Sequence, residues 1–186
     1  MYFREMNTVV TLSGNNDVTL KALAHSDLEE MAILANNPAV AANLRDSFPS
    51  PYTLQDAEIF YNLIQEGKIT HVWGIYYKDK IAGVITLKLQ EDIHRHSAEI
   101  GYWLGAPFHG KGIMSEAVSL LTDYAFTGLH LVRIFAGTFD YNKASQKVLE
   151  KSGYHLESVK KKAAIKNGVI LDEYMMVKLN PEVDTE

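Results

Sequence analysis

The sequence contains no cysteine among its 186 residues. Without cysteine the chain cannot form disulfide bonds, thiolate metal sites or a thioester with its own side chain. A group-transfer reaction on this chain must therefore pass the group directly between two bound substrates or use a hydroxyl nucleophile.

Long apolar runs are also missing. No stretch approaches the roughly 18 apolar residues that a membrane span requires, and the N-terminus lacks the basic start and apolar segment of a signal peptide. We therefore expect a cytoplasmic protein with no membrane partner.

Positive charge is in deficit, because 18 lysines and arginines face 23 aspartates and glutamates, for a formal net charge of -5. A nucleic-acid-binding protein would be expected to carry a basic surface, so this balance argues against nucleic acid as a partner. It suits a cationic small substrate better.

Linker-like features are absent as well. The sequence has no Gly/Ser tract, no low-complexity segment and no repeating period, and hydrophobic residues make up 47% of it. A chain of this length can bury one full core. We predict a single domain over residues 1–186, as a monomer or a homodimer.

Strand and helix patterns begin near residue 18. A strand at 18–24 is followed by a helix that Ser26 or Asp27 caps and Pro38 ends. Thr53 caps the next helix, whose apolar residues fall on one face.

The rest of the pattern comprises three antiparallel strands, a helix, a strand, a helix and a hairpin. The three strands are HVWGIYY, KIAGVITLKL and HSAEIGYWL, and the two helices cover about 112–127 and 142–152. Asn167-Gly168 is a strong turn signal for the final hairpin. Because strands and helices do not alternate throughout, the order predicts an α+β fold and not a doubly wound one.

Gly110 and Gly112 lie in the segment HGKG between a strand and a helix. Backbone without Cβ atoms can bring several N–H groups toward one point, and the helix adds the positive end of its dipole there. Such a nest suits a phosphate or pyrophosphate, although a tight strand-to-helix turn explains the glycines equally well. The common nucleotide motifs are absent, because Ser115 replaces the third glycine of one and Gly112 follows Lys111 in the other.

Several segments resemble the GNAT acetyltransferases, and within them the RimJ/RimL branch. They cover most of residues 18–179 and occur in the same order as in that family. The segments are LRDSFPSPYTLQDA, AEIGYWLGAPFHGKGIMSEAV, YAF, LHLVRIFAGTFDYNKASQKVLEKSGYHLE and KNGVILDEYMM.

The resemblance implies a mixed, mostly antiparallel central sheet of about seven strands flanked by helices, splayed between the fourth and fifth strands. It implies acetyl-CoA as cosubstrate, with backbone N–H groups holding its pyrophosphate and its pantetheine arm pairing with the end of the fourth strand. The family motif has Gln or Arg where this sequence has Pro107. Because the nest is made by backbone, this departure bears on the affinity for the cosubstrate more than on its identity. The residues implied to bind the cosubstrate are Trp103, Leu104, His109, Gly110, Lys111, Gly112, Ile113, Met114 and Asn142.

Two residues are candidates for the proton chemistry. Glu99 lies on the strand expected to border the cleft, where it accepts the ammonium proton through water, binds a cationic substrate, or is an ordinary edge carboxylate. Asn142, Ser145 and Leu149 fall on one helix face. The superfamily often has a proton-donating tyrosine where this chain has Leu149, and the resemblance instead implies Ser145 as the acid and Asn142 as a contact to the pantetheine arm. A plain helix cap also explains Asn142.

His94 and His96 alternate around Arg95 in a predicted turn, as metal ligands sometimes do. Neither thiolates nor a carboxylate at ligand spacing accompany them, so we interpret them as solvated turn residues and expect no metal.

The sequence is therefore interpreted as an N-acetyltransferase that moves acetyl from acetyl-CoA to a primary amine in a ternary complex. The acceptor is either a small amine, such as a polyamine, or a protein N-terminal α-amine. The alternatives are a non-catalytic acyl-CoA-binding module and a nucleotide-binding regulator that uses HGKG for a phosphate.

Overall fold

Eight strands form one sheet in residues 9–183, the part of the chain that the computed structural model describes. The prediction that the N-terminus has no signal-peptide pattern falls partly on residues 1–8, which lie outside this range. The strands are β1 (Leu12–Ser13), β2 (Val18–Lys21), β3 (Val72–Tyr77), β4 (Lys80–Leu89), β5 (Ser97–Leu104), β6 (Arg133–Phe139), β7 (His155–Lys166) and β8 (Val169–Leu179).

The strand order is β1-β2-β3-β4-β5-β6-β8-β7. Every neighbouring pair is antiparallel except β5 and β6, which run parallel. The last two strands form the hairpin predicted from Asn167-Gly168, and both turn residues have positive φ, at 50° and 78°. The mixed, mostly antiparallel α+β fold is thus confirmed.

Within the described residues five α-helices flank the sheet, and most of them follow the periodicity read from the sequence. Thr53 caps α3 as predicted, since its hydroxyl accepts a hydrogen bond from the Asp56 N–H. The helices are α1 (Leu28–Ala35), α2 (Pro38–Ala41), α3 (Leu54–Gln65), α4 (Ile113–Thr127) and α5 (Lys143–Lys151).

Three local features differ from the predictions. The sheet predicted to have about seven strands includes an eighth, β1, whose two residues are too few to show a pattern. Pro38 begins α2 instead of ending α1, a position where the missing N–H of proline costs nothing. The Asp27 carboxylate does not cap α1 but accepts a hydrogen bond from the Ala24 N–H, at 2.8 Å.

The sheet is covered on both faces. Helices α4 and α5 pack on one face over a cluster that includes Ile85, Ile100 and Leu121. Helices α1 and α3 cover the other face over a second cluster that includes Met31 and Val84. We call these the α4–α5 face and the α1–α3 face.

The sheet opens in its middle. The parallel pairing of β5 with β6 covers only three residue pairs and ends where Glu99 lies opposite Phe135. β5 continues to Leu104 along β4, and β6 continues to Phe139 along β8. The two strands therefore diverge beyond Glu99. Because the prediction did not count β1, its fourth and fifth strands are β5 and β6, and the predicted splay is confirmed.

The capping box of α3 gives a pH-dependent prediction. Hydrogen bonds from the Thr53 hydroxyl and the Thr53 N–H, at 2.6 and 2.8 Å, hold the pKa of Asp56 below its ordinary value. A lowered carboxyl pKa stabilises the fold above the unfolded-state pKa, and this contribution is lost as the pH falls through the folded-state pKa. Asp56→Asn should lower the melting temperature at pH 7. At acid pH, where Asp56 of the parent is protonated, the melting temperatures of variant and parent should converge.

Glu58→Gln is the matched control, because Glu58 is an exposed acid on the same helix. Thermal denaturation monitored by circular dichroism from pH 7 down to pH 2 would compare the three proteins. Equal losses for both variants at pH 7 would show that the capping box does not stabilise α3.

Candidate functional site

A cleft of about 500 Å³ occupies the opening between β5 and β6. Its walls are the diverging strands, the turn that leads into α4, helix α5 and the segment 39–45 that follows α1. Every residue predicted from the sequence to bind or react lines this cleft, except Lys111.

The far end of β5 leaves an unpaired backbone edge in the cleft. Residues 100–104 have no strand partner on the β6 side within 9–183. The Trp103 carbonyl lies against Gly83 of β4, and backbone groups alternate in direction along a strand. The Ile100 N–H closes the last rung of the β5–β6 ladder at Phe135, so the Tyr102 N–H is the next donor along β5 and faces the cleft.

Trp103 and Leu104, two residues predicted to bind the cosubstrate, both line the cleft, and this orientation decides which of their groups face it. The backbone of Trp103 faces β4, and its ring lies on the α1–α3 face, 6.2 Å from the ring of Phe48. The Leu104 carbonyl is 2.9 Å from His109 Nε2, so the imidazole N–H occupies it. On this edge Tyr102, not Trp103, offers a backbone N–H group to the cleft.

The glycine turn presents free backbone donors at the start of α4. Gly110 and Gly112 have φ of 74° and 78°, which favour glycine, and a Cβ on either residue would meet no atom within 4 Å. The N–H groups of residues 110–115 donate to no acceptor in the described part of the chain. They converge with the positive end of the α4 dipole, which makes an anion-binding nest.

The nest is one residue shorter than predicted, and its lysine is turned away. The His109 N–H donates to the Ala106 carbonyl at 3.2 Å, so the free donors begin at Gly110. Lys111 Nζ donates to the Pro107 carbonyl at 2.9 Å and does not line the cleft. In this structure the nest consists of backbone alone.

Ser145 stands at the α5 wall of the cleft, opposite the β5 edge. Its N–H donates to the Asn142 Oδ1 at 3.1 Å, so Asn142 is the N-cap of α5 while also lining the cleft. The Ser145 hydroxyl lies 2.8 Å from the hydroxyl of Tyr102. Burial raises the pKa of Tyr102 to about 12, and the bond to Ser145 offsets this in part. Both hydroxyls are therefore protonated at neutral pH.

Leu149 is fully buried in the core under the α4–α5 face and does not line the cleft. No proton donor can come from this position. Tyr102, which reaches the cleft from β5, supplies the phenol that α5 lacks.

Glu99 stands on the other side of the opening. Along β5, residues 99, 101 and 103 alternate with 100, 102 and 104, so the Glu99 side chain lies on the α1–α3 face and the Tyr102 side chain on the α4–α5 face. The two predicted catalytic residues thus reach the cleft from opposite faces of the sheet. Arg45 Nη2 donates to Glu99 Oε1 at 2.6 Å.

The segment 42–46, which we call the strap, crosses the opening on the α1–α3 face. The Tyr141 hydroxyl donates to the Ala42 carbonyl, and Lys166 Nζ donates to Asp46 Oδ1 at 2.8 Å. The Lys166 side chain is only 9% exposed, whereas the Asp46 side chain is 77% exposed. These bonds tie the strap to the β6–α5 connection and to β7, and they hold Arg45 at the cleft.

The sequence interpretation missed the side chains of Tyr102 and Glu173 and the pairing of Arg45 with Glu99. Tyr102 meets Ser145 across 43 residues of sequence and Arg45 meets Glu99 across 54, so only the folded chain brings them together. Glu173 also lines the cleft, with its carboxylate over Gly137 of β6. Strand alternation in AEIGYWL could have separated Tyr102 from Glu99, but it could not have named their partners.

No helix within 9–183 has both the length and the apolar composition needed to cross a membrane. Over the same residues, no three His, Asp or Glu side chains are grouped so that they could hold a metal ion.

Comparison with known proteins gives a family match over most of the chain. Residues 17–155 match the family described as acetyltransferase (GNAT) domain. A probable N-acetyltransferase of Bacillus subtilis (strain 168), YjcK, is 42% identical over 104 residues, which are 56% of this chain. The chain spans 58% of the length of that relative.

Two further relatives cover more of the chain. The ribosomal-protein-serine acetyltransferase of Escherichia coli (strain K12) is 31% identical over 131 residues, 67% of this chain and 72% of the relative. The solved structure of the microcin C7 self-immunity acetyltransferase MccE, in complex with acetyl-CoA and AMP, superposes with a TM-score of 0.73. It is 31% identical, and the match covers 89% of this chain and 94% of that one.

Proposed function

Because this chain belongs to the acetyltransferase (GNAT) family, we propose that it transfers the acetyl group of acetyl-CoA to a primary amine in a ternary complex. The observation that carries the proposal is the opening between β5 and β6. One cleft there combines free backbone donors, a hydroxyl pair and a carboxylate.

The cleft fits acetyl-CoA at two points. The N–H groups of residues 110–115 and the open space above Gly110 and Gly112 suit a pyrophosphate. The unpaired edge at Tyr102 suits an extended arm with amide groups, which binds as an added strand would. Asn142 lines the same passage and would contact this arm with its side-chain amide.

The acceptor end carries two carboxylates on the α1–α3 face, and each has a basic partner. Glu99 pairs with Arg45 and Glu173 with Lys160, and an acceptor with an ammonium group can compete for either carboxylate. A small amine and a protein N-terminal α-amine both meet this requirement. The ribosomal-protein acetyltransferase among the relatives supports the second class.

Acetyl-CoA supplies a thioester carbonyl carbon as the electrophile and a thiolate as the leaving group. Glu99 accepts the ammonium proton through water, or binds the cation while water accepts it. Backbone N–H groups on the β5 edge donate to the carbonyl oxygen as charge develops on it. The C–N bond forms first, and the nitrogen of the tetrahedral intermediate then loses its second proton to water. Ser145 donates its proton to the sulfur as the C–S bond breaks, and its hydroxyl recovers a proton from water or through Tyr102.

Direct transfer follows from the available nucleophiles. The chain has no cysteine. Ser145 has a tyrosine hydroxyl as its partner and no imidazole within hydrogen-bonding distance in the described residues, so nothing there would activate it to form an acyl-enzyme.

Steady-state kinetics that follow CoA release over a panel of primary amines would test the proposal. Saturable release that depends on both substrates supports a ternary complex. Tight acetyl-CoA binding without turnover on any amine would favour the acyl-CoA-binding module. Thermal stabilisation by ATP or NAD instead of acetyl-CoA would favour the nucleotide-binding regulator.

The nest gives the first prediction about this function. A side chain at Gly112 would fill the space above the free N–H groups, so Gly112→Trp should weaken acetyl-CoA binding by tenfold or more, roughly the loss of one charge-assisted hydrogen bond. Gly168→Trp is a matched control, because Gly168 also has φ of 78° and an open Cβ position but lies in the β7–β8 turn. Calorimetric titration would measure both, after denaturation confirms that each variant folds. Parental affinity in a folded Gly112→Trp protein would refute the nest assignment.

The second prediction concerns the carboxylate that serves the amine. Glu99→Gln should leave acetyl-CoA affinity nearly intact and lower kcat/KM for the amine, by on the order of 10²–10⁴-fold if Glu99 is the base. Its pH–rate profile should lose the limb that reports the base. Glu173→Gln is the comparison, since it removes the other carboxylate of the same face. A full rate in Glu99→Gln together with a large loss in Glu173→Gln would transfer the role to Glu173.

The third prediction concerns the acid. Ser145→Ala should lower kcat on the order of 10²–10⁴-fold, the usual share of a positioned general acid, with little change in acetyl-CoA binding. Tyr102→Phe should cost less, because it removes the partner of Ser145 and leaves the donor in place. Single-turnover rates of both variants and of the double variant would separate the roles. If Ser145→Ala stays within about twofold of the parent, Ser145 is not the acid.

A further inference from the structure

The ion pair of Arg45 and Glu99 lies inside the cleft at the end that takes the acceptor. Both side chains line the cleft, and Arg45 Nη2 is 2.6 Å from Glu99 Oε1. The contact uses one nitrogen of a guanidinium that carries five N–H donors. The Arg45 side chain is 67% exposed, so its other donors remain open to a ligand.

A plain cationic amine meets an unfavourable field at this pair. Its ammonium group must compete with Arg45 for Glu99, and it then lies beside a second positive charge. Like charges in contact across a binding site select against a ligand. Arg45 therefore reduces the attraction that Glu99 and Glu173 exert on simple amines.

An amine with an adjacent carboxylate meets a favourable field instead. Its ammonium group can pair with Glu99 and its carboxylate with the planar fork of Arg45, so one ion pair is exchanged for two and no charge is left unpartnered. The strap holds Arg45 at the cleft through the bonds of Ala42 and Asp46. The site is thus arranged for both groups before the acceptor binds.

We propose that the acceptor is a zwitterion, an α-amino acid or a similarly small molecule with a carboxylate next to its primary amine, and that Arg45 is the residue that selects it. This inference rests on the acetyl transfer proposed above and narrows its acceptor. Small amino acids should therefore be better acceptors than protein N-termini, because the carbonyl beside a protein's α-amine belongs to a neutral amide.

The sharpest test compares L-amino acids with their own amides. The amide keeps the size and shape of the acid but removes the negative charge. An α-amine next to an amide titrates near pH 8, below the amine of the free acid, so ionisation alone favours the amide as substrate. A higher kcat/KM for the acid at pH 7.5 therefore cannot come from a larger free-base fraction.

For the parent protein we expect kcat/KM for the preferred acid to exceed that for its amide by about tenfold, the usual effect of one charge-assisted hydrogen bond at a partly exposed site. Arg45→Gln should bring this ratio to one or below, and Arg45→Lys should leave part of it. Arg95→Gln is the control and should keep the parental ratio, because Arg95 is an exposed arginine that bonds the Asp92 carbonyl outside the cleft.

A loss of activity that affects the acid and the amide equally leaves the ratio of their kcat/KM values unchanged, so the ratio reports only the selection by Arg45. A parental ratio near one, a preference for amides or for amidated peptides, or a ratio unchanged in Arg45→Gln would overturn the inference. In each of these cases transfer to an amine still occurs, so the proposed function survives. Failure of the proposed function has a different signature, which is no binding of acetyl-CoA in calorimetry and no transfer to any member of the panel, and it would overturn the inference with it.

Discussion

The arrangement of the site depends on the early end of the parallel pairing between β5 and β6. Three residue pairs join the strands, and beyond Glu99 each strand keeps only its outer neighbour. Unpaired backbone in a sheet interior is costly unless something else satisfies it. The fold leaves it facing a cleft, where a ligand with amide groups can take the place of the missing strand.

The rest of the fold keeps this opening from closing. β4 holds the far end of β5 and β8 holds the far end of β6, each through a full antiparallel ladder. α4 begins at one rim and α5 at another, so the free N–H groups of the first and the Ser145 hydroxyl of the second face the same space. The helices also bury the α4–α5 face, whose core residues fix the spacing of the walls. Rigid walls of this kind position the reacting groups before the substrates arrive.

Local chemistry in the sequence was enough to predict much of this frame. The Thr53 capping box, the Asn167-Gly168 turn and the Gly110–Gly112 pair each need only neighbouring residues, and all three occupy the expected conformations. Contacts between distant residues could not be read in this way. The Tyr102–Ser145 and Arg45–Glu99 bonds depend on strand alternation, on the splay and on the path of the strap, which are properties of the folded chain. The hydrogen bond of Lys111 to Pro107 and the use of the His109 N–H within its own turn were equally hidden.

The placement of Glu99 and Ser145 on opposite faces of the sheet also affects the order of events in a catalytic cycle. Under the proposed function, a donor along α4 and α5 and an acceptor from the side of the strap would reach the opening by separate routes. Neither would have to pass the other, so the proposal implies that the two substrates bind in either order. It also implies that the spent carrier and the modified acceptor depart independently.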